Sequence, residues 1–229
     1  MKYCIIHVND RSQTNMNKNI KNLSSYEYIN DILYFDGNSG NAWDFLNHLK
    51  IPLNVWSPYD GRSFEALPGE YGIWVSTINV LKYIVNNKID KLLVLEDDII
   101  LKENFVPTLE KSVLELQNNF DFLSLYWFDG QNHIDERTDI GLEYIHKSLN
   151  QYSGAQAMLY SYSGASKILK AVKRKGIEYT SDCFIFKQSH LGILNGFSIK
   201  PTIEKVLIHD FKNIKSTIDP DNIRKTHEE

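Results

Sequence analysis

Apolar positions in this chain change period several times, and each change marks a predicted element. Residues 3–8 (YCIIHV) form a short β-rich run. A polar stretch with helical character follows, then a second apolar run at 32–35 (ILYF) just before Asp36-Gly37. Residues 55–69 carry Pro58, Gly61, Pro68 and Gly69 and read as loop. From Glu70 the period turns helical: Trp74, Ile78, Leu81 and Val85 fall on one stripe, flanked by Ile73 and Ile84. This helix is expected to stop near Asn86-Asn87, and residues 91–95 to form the next strand.

Residues 104–117 predict another helix, with Pro107 in its first turns and Phe105, Leu109, Val113 and Leu116 facing inward. An aromatic β-rich run (FDFLSLYWF, 120–128) comes next, and the weakly periodic polar stretch 129–150 reads as loop. Residues 157–160 read as strand, 165–172 as an amphipathic helix and 206–209 as a last strand. Residues 1–218 are expected to make one domain, with 219–229 a polar tail. Repeated strand–helix–strand units predict an α/β fold whose central sheet is mixed but mainly parallel and flanked by helices.

Composition narrows the class. At 229 residues the chain can bury one sizeable core. A net charge of −4 argues against a general nucleic-acid binder, so no nucleic-acid partner is expected. Two cysteines, Cys4 and Cys183, are too few for a disulfide framework or a zinc cluster. The N-terminal stretch lacks a signal-peptide pattern, and no window is apolar enough to predict a membrane span. A cytoplasmic protein is the expectation.

The sharpest chemical signal is LLVLEDDIIL, residues 92–101, where Glu96, Asp97 and Asp98 interrupt an apolar strand. Buried carboxylates must protonate, find a cation or reach water. In an extended chain Glu96 and Asp98 share one face and Asp97 takes the other. Acids at the carboxyl end of a buried strand make a cation site for hard ions such as Mn²⁺ or Mg²⁺. They also lie where ligands bind in open α/β sheets. No P-loop, GxGxxG or GxSxG motif is present. Two other readings use the same acids: a Mg²⁺-binding receiver-like signalling module, and a metal-dependent phosphodiesterase. The first needs a later lysine-bearing strand and the second a cluster of histidines, and the sequence offers neither.

Several ordered motifs carry a family resemblance. They are Gly69-Glu70 opening a helix, Glu96-Asp97-Asp98 ending a strand, and Gly154, Ser161 and Gly164-Ala165 in YSGAQAMLYSYSGASKIL. Asp36-Gly37 and the 9–11 stretch are weaker echoes. Together they resemble family 25 glycosyltransferases, which include lipopolysaccharide-modifying sugar transferases and collagen galactosyltransferases. Ser76-Thr77 stands where the family often has Ser-His, and Thr180-Ser181-Asp182 only approximates its Pro-Val-Asp stretch.

The resemblance implies a GT-A fold and a metal-dependent, inverting sugar transfer. The donor would be a nucleotide sugar, UDP-linked by expectation, and the acceptor a hydroxyl of a glycan or of a lipid- or protein-linked glycan. It implies Asp98 as a direct ligand of Mn²⁺ or Mg²⁺, Glu96 as an indirect ligand or ribose contact, and His209 as a further ligand. Val8, Asn9, Asp36, Gly37, Glu70, Glu96 and Asp97 fall to the donor side, and Asp182 to the catalytic base. Each has a plainer reading beside it. His209 reads equally as a strand-end histidine bonded to backbone, and Asp182 or Ser181 as a helix N-cap. Glu70 reads as an acid favouring the positive end of a helix dipole, and Asp36-Gly37 as a turn. Trp56, Tyr126 and Trp127 read as core before they read as sugar platforms.

Overall fold

The computed structural model describes residues 1–6, 14–30, 32, 34, 46, 55–56, 63–64, 68–126, 140–147, 155–177 and 180–209. Among them seven strands form one sheet, in the order β2-β1-β5-β9-β7-β10-β8. The strands are β1 (Lys2–Ile6), β2 (Glu27–Tyr28), β5 (Lys91–Glu96), β7 (Phe122–Ser124), β8 (Ile145–Lys147), β9 (Ala157–Ser161) and β10 (Gly196–Ile199). β1 pairs in parallel with β2 and β5, and β7 with β10; β9 and β8 run against their neighbours. Five of the seven therefore point one way, and the expected mixed, mainly parallel sheet is the one observed. Two short ladders stand apart: β3 (Val55–Trp56) with β4 (Ser63–Phe64), and β6 (Ile99–Leu101) with β11 (Leu207–His209).

Side-chain alternation along β5 divides the core. Leu92 and Val94 face one side with Cys4, Met158 and Tyr160, under helices α2 (Pro68–Asn86), α4 (Tyr162–Lys175) and α5 (Ser181–His190). Leu93 and Leu95 face the other with Tyr3, Ile5 and Leu159, under α1 (Thr14–Asn22) and α3 (Phe105–Leu116). Helices thus cover both faces, as the strand–helix alternation predicts. The first layer is keyed by edge-to-face rings, Trp74 on Phe184 at 5.4 Å and Phe122 on Phe186 at 5.4 Å.

Several boundaries differ from expectation for local reasons. The strand beside β1 lies at Glu27–Tyr28; of the 32–35 run only Ile32 and Tyr34 are described, and neither is in a strand. α2 begins at Pro68 inside the expected loop, because proline at the first helical position sacrifices no helical hydrogen bond. β8 and β10 go unnoticed in the sequence, being only three and four residues long. The strand carrying the acids ends at Glu96, and Asp97-Asp98 form the turn into β6. The strand alternation that would put Glu96 and Asp98 on one face therefore does not extend to Asp98.

The Ser…Gly-Ala motif turns out to hold the frame. Ser161 caps α4, its Oγ accepting from the Gly164 N–H at 3.0 Å. A side chain at Gly164 would bring its Cβ within 1.9 Å of the Asp121 carbonyl oxygen, so only glycine lets α4 approach the start of β7. Asp121 anchors the same corner. Its buried carboxylate takes two hydrogen bonds from Lys167, at 2.7 and 3.0 Å, and one from the Asn195 N–H at 2.7 Å. The Lys147 ammonium also binds Asn195, and burial lowers its pKa.

Cys4 and Cys183 are free and buried. Burial pushes the Cys4 thiol up to about 12, against a smaller lowering from a hydrogen bond with Tyr34.

Three outcomes follow from this packing. Gly164→Ala is expected to cost about 3 kcal/mol of stability, because the added methyl meets backbone that cannot rotate away; urea midpoints with unchanged m-values check it. Cys4 and Cys183 should react with a thiol reagent at pH 8 about 100-fold more slowly in folded than in urea-unfolded protein. Because the folded Cys4 pKa is raised from 9.0, its contribution to stability is intact below about pH 9 and is lost as the pH rises toward about 12. Melting curves across that window should fall with increasing pH.

Candidate functional site

The site forms where β5 ends against the amino-terminal ends of two helices. Glu96 closes β5, its N–H bonded to the Gln156 carbonyl at 2.9 Å, and its side chain lies on the α2/α5 side of the sheet. Glu70 sits in the first turn of α2 and is buried; Asp182 sits in the first turn of α5. Both helices direct the positive ends of their dipoles at this region, which favours the two acids there.

Tyr160, on the middle strand β9, registers how these charges converge. Its pKa is raised first by burial, then by the charges of Asp182 and Glu96 and by Cys4. Cys183 is pushed up to about 12, first by burial and then chiefly by Asp182, with a smaller contribution from Glu70. Glu96, Asp182 and Glu70 therefore act on one neighbourhood although they are far apart in sequence. A cavity of about 20 Å³ lies beside Glu96, lined also by Tyr160, Ser181, Thr77 and apolar side chains of α2 and the sheet. Thr77, one half of the departure from Ser-His, faces this cavity.

Asp182 is fixed by its own helix start. Its Oδ1 accepts from the Thr180 hydroxyl at 2.7 Å and from the Cys183 N–H at 2.8 Å. The residue at the N-cap position is Thr180, which makes no side-chain capping bond, so neither Ser181 nor Asp182 occupies that position. Asp182 does serve the helix start from within the first turn, and it carries charge into the site as well.

Asp97 and Asp98 are both buried, at 4% and 8% exposure, in the turn from β5 to β6. β6 is held on one edge by α1, where the fully buried Asn19 donates to the Ile99 carbonyl at 2.8 Å and accepts from the Leu101 N–H at 3.1 Å. On the other edge it pairs with β11, in a register that sets His209 opposite Ile99, one residue past Asp98. The His209 side chain, like Val8, Asn9, Asp36 and Gly37, lies outside the described residues, as do Trp127 and Gly154. The Trp56 side chain lies outside them too, and Tyr126 is buried in the second core. Among the described residues no three of His, Cys, Asp and Glu converge closely enough to hold a metal ion by themselves.

Sequence reading gave Tyr160 no role, and it named Thr77 and Ser181 only as departures from the family pattern or, for Ser181, as a cap. Alternation back from Ser161 puts Tyr160 on the same side as Met158, and the pattern alone makes it one more core aromatic. Only the folded chain shows the charges around it.

No described helix is long and apolar enough to cross a membrane. No curated protein matches the chain. Among solved structures it is similar to a galactosyltransferase, LgtC, in complex with donor and acceptor sugar analogs. That likeness has a TM-score of 0.49 and 12% identity, over 100% of this chain and 94% of the other. It is also similar to A197 from STIV, with a TM-score of 0.44 and 11% identity over 86% of this chain and 80% of the other. An active-site mutant of LgtC gives 0.43 and 12%, over 86% and 72%. None of these is close enough to carry an argument about activity. Residues 35–222, most of the chain, match the profile described as glycosyltransferase family 25, LPS biosynthesis protein. The chain belongs to glycosyltransferase family 25 and is a glycosyltransferase.

Proposed function

We propose that this enzyme moves a sugar from a nucleotide-diphosphate-sugar donor to a hydroxyl of a glycan or glycoconjugate, with the help of a divalent cation and with inversion at the anomeric carbon. The observation that carries the reading is the family match over residues 35–222, together with the cavity wall that Glu96 shares with Tyr160 and Ser181, next to Asp182. Family membership also removes the ground for the receiver-like and phosphodiesterase readings.

The donor set suits a hard cation. Asp98 and Glu96 offer carboxylate oxygens, and Asp98 adjoins the strand pairing that carries His209. Mg²⁺ in many enzymes is held by one or two carboxylates, with substrate phosphates completing the shell. When bound, the cation supplies Lewis-acid stabilisation of the charge that grows on the diphosphate leaving group. In this reading Asp98 ligates directly, Glu96 ligates through water or holds the ribose, and His209 completes the protein's share. Val8, Asn9, Asp36, Gly37, Glu70 and Asp97 are assigned to the donor side.

Asp182 is assigned as the base. The acceptor oxygen forms its bond to the anomeric carbon from the face opposite the leaving group, its proton passes to the Asp182 carboxylate, and the nucleoside diphosphate departs with the bonding pair. The Thr180 and Cys183 hydrogen bonds fix the carboxylate, so little reorganisation is needed before it accepts the proton.

Calorimetric titration with a panel of nucleotide sugars, with and without Mn²⁺, tests the whole reading. Saturable, Mn²⁺-dependent binding of one or two donors is expected, and folded protein that binds none of them would remove it. Asp98→Asn should weaken Mn²⁺-dependent donor binding by about 100-fold with an unchanged melting temperature. Asp182→Asn should bind donor normally and lose about 10²–10⁴-fold in turnover. Wild-type turnover in that variant, or its failure to fold, would assign Asp182 to the helix start alone. NMR of the anomeric proton in the product distinguishes inversion from retention.

A further inference from the structure

Charge is sorted by sheet face. The three helices on the first face, α2, α4 and α5, carry seven Lys and Arg residues against two acids, Glu70 and Asp182, and both acids point inward to the site. Five of those cations lie on α4: Lys167, Lys170, Lys173, Arg174 and Lys175. That helix contains no acid in its 14 residues, in a chain whose net charge is −4. On the opposite face the balance is nearly even: α1 carries Lys18 and Lys21, and α3 carries Lys111 against Glu110 and Glu115.

The arrangement on α4 is directional. Gly164, Ala165, Ile168, Ala171 and Val172 are buried against the core. At about 100° per residue, Tyr162, Lys170, Lys173 and Arg174 share the opposite, exposed side over roughly 20 Å of helix. Lys167 borders this side but is already engaged by Asp121. Tyr162, at 42% exposure, adds an aromatic ring with a polar tip at one end of the row.

We propose that the outer face of α4 docks on an anionic lipid bilayer. Lysine stems and a tyrosine ring suit the headgroup zone, and cations attract the excess negative charge of such a surface. The stripe is convex and one helix wide, with its exposed aromatic at the end of the row. A single-stranded nucleic acid favours a basic groove with aromatics spaced along it, so the bilayer is the better match. The docking does not depend on the proposed transfer reaction.

Sedimentation with vesicles tests it, using phosphatidylcholine alone and a 7:3 mixture with phosphatidylglycerol, at low and high salt. Full-length protein should bind the anionic vesicles at low salt, release at high salt, and ignore the neutral ones. The triple variant Lys170→Gln, Lys173→Gln, Arg174→Gln spares Lys167 and keeps the buried side of α4. It should lose about 100-fold in partitioning, roughly five-fold per cation, while melting as the parent does. Equal binding to both vesicle types would overturn the proposal, as would a folded triple variant that binds like the parent. So would displacement from vesicles by a short oligonucleotide at equal phosphate concentration, which would make the face a nucleic-acid surface. The assay contains no sugar donor, so its failure would leave the transferase reading standing.

Discussion

A helix start leaves backbone N–H groups without helical partners, and two starts in the first helical layer, those of α2 and α5, carry acids in their first turns. Glu96, Glu70 and Asp182 come from a strand end and two helix starts, the places where backbone N–H groups remain available and helix dipoles are positive. Asp182 takes one such N–H and a neighbouring hydroxyl. The surrounding wall stays apolar and rigid, keyed by Trp74 on Phe184.

The residues that match the family pattern divide into two groups. Glu96 and Asp182 bring charge to the site. Ser161 and Gly164 never approach it: one ends an unpaired helix terminus, and the other removes a side chain that would strike Asp121. The polar corner of Asp121, Lys167 and Asn195 ties β7, α4 and the start of β10 together. It is part of why the strand holding Tyr160 lies where it does.

Much of this was legible in the sequence. The helical stripe through Trp74, Ile78 and Leu81 and the apolar β5 run are long enough for their period to show. Short strands such as β8 and β10 were not, because three or four residues give almost no alternation to count. For the site, the acids of the EDD stretch stood out because charge in an apolar run is conspicuous. Tyr160 did not, since a buried tyrosine in a strand looks the same whether it faces leucines or carboxylates. The placing of Asp98 was missed for a geometric reason: alternation holds only while the strand continues, and this one turns directly after Glu96.

Asn19 stands in for a third strand beside β6. A single side chain offers Ile99 a donor and Leu101 an acceptor, the two groups that a neighbouring strand would offer there. The β6–β11 ribbon is therefore finished on that side. No second molecule can add itself to this edge of β6, so the ribbon offers no open template for aggregation there.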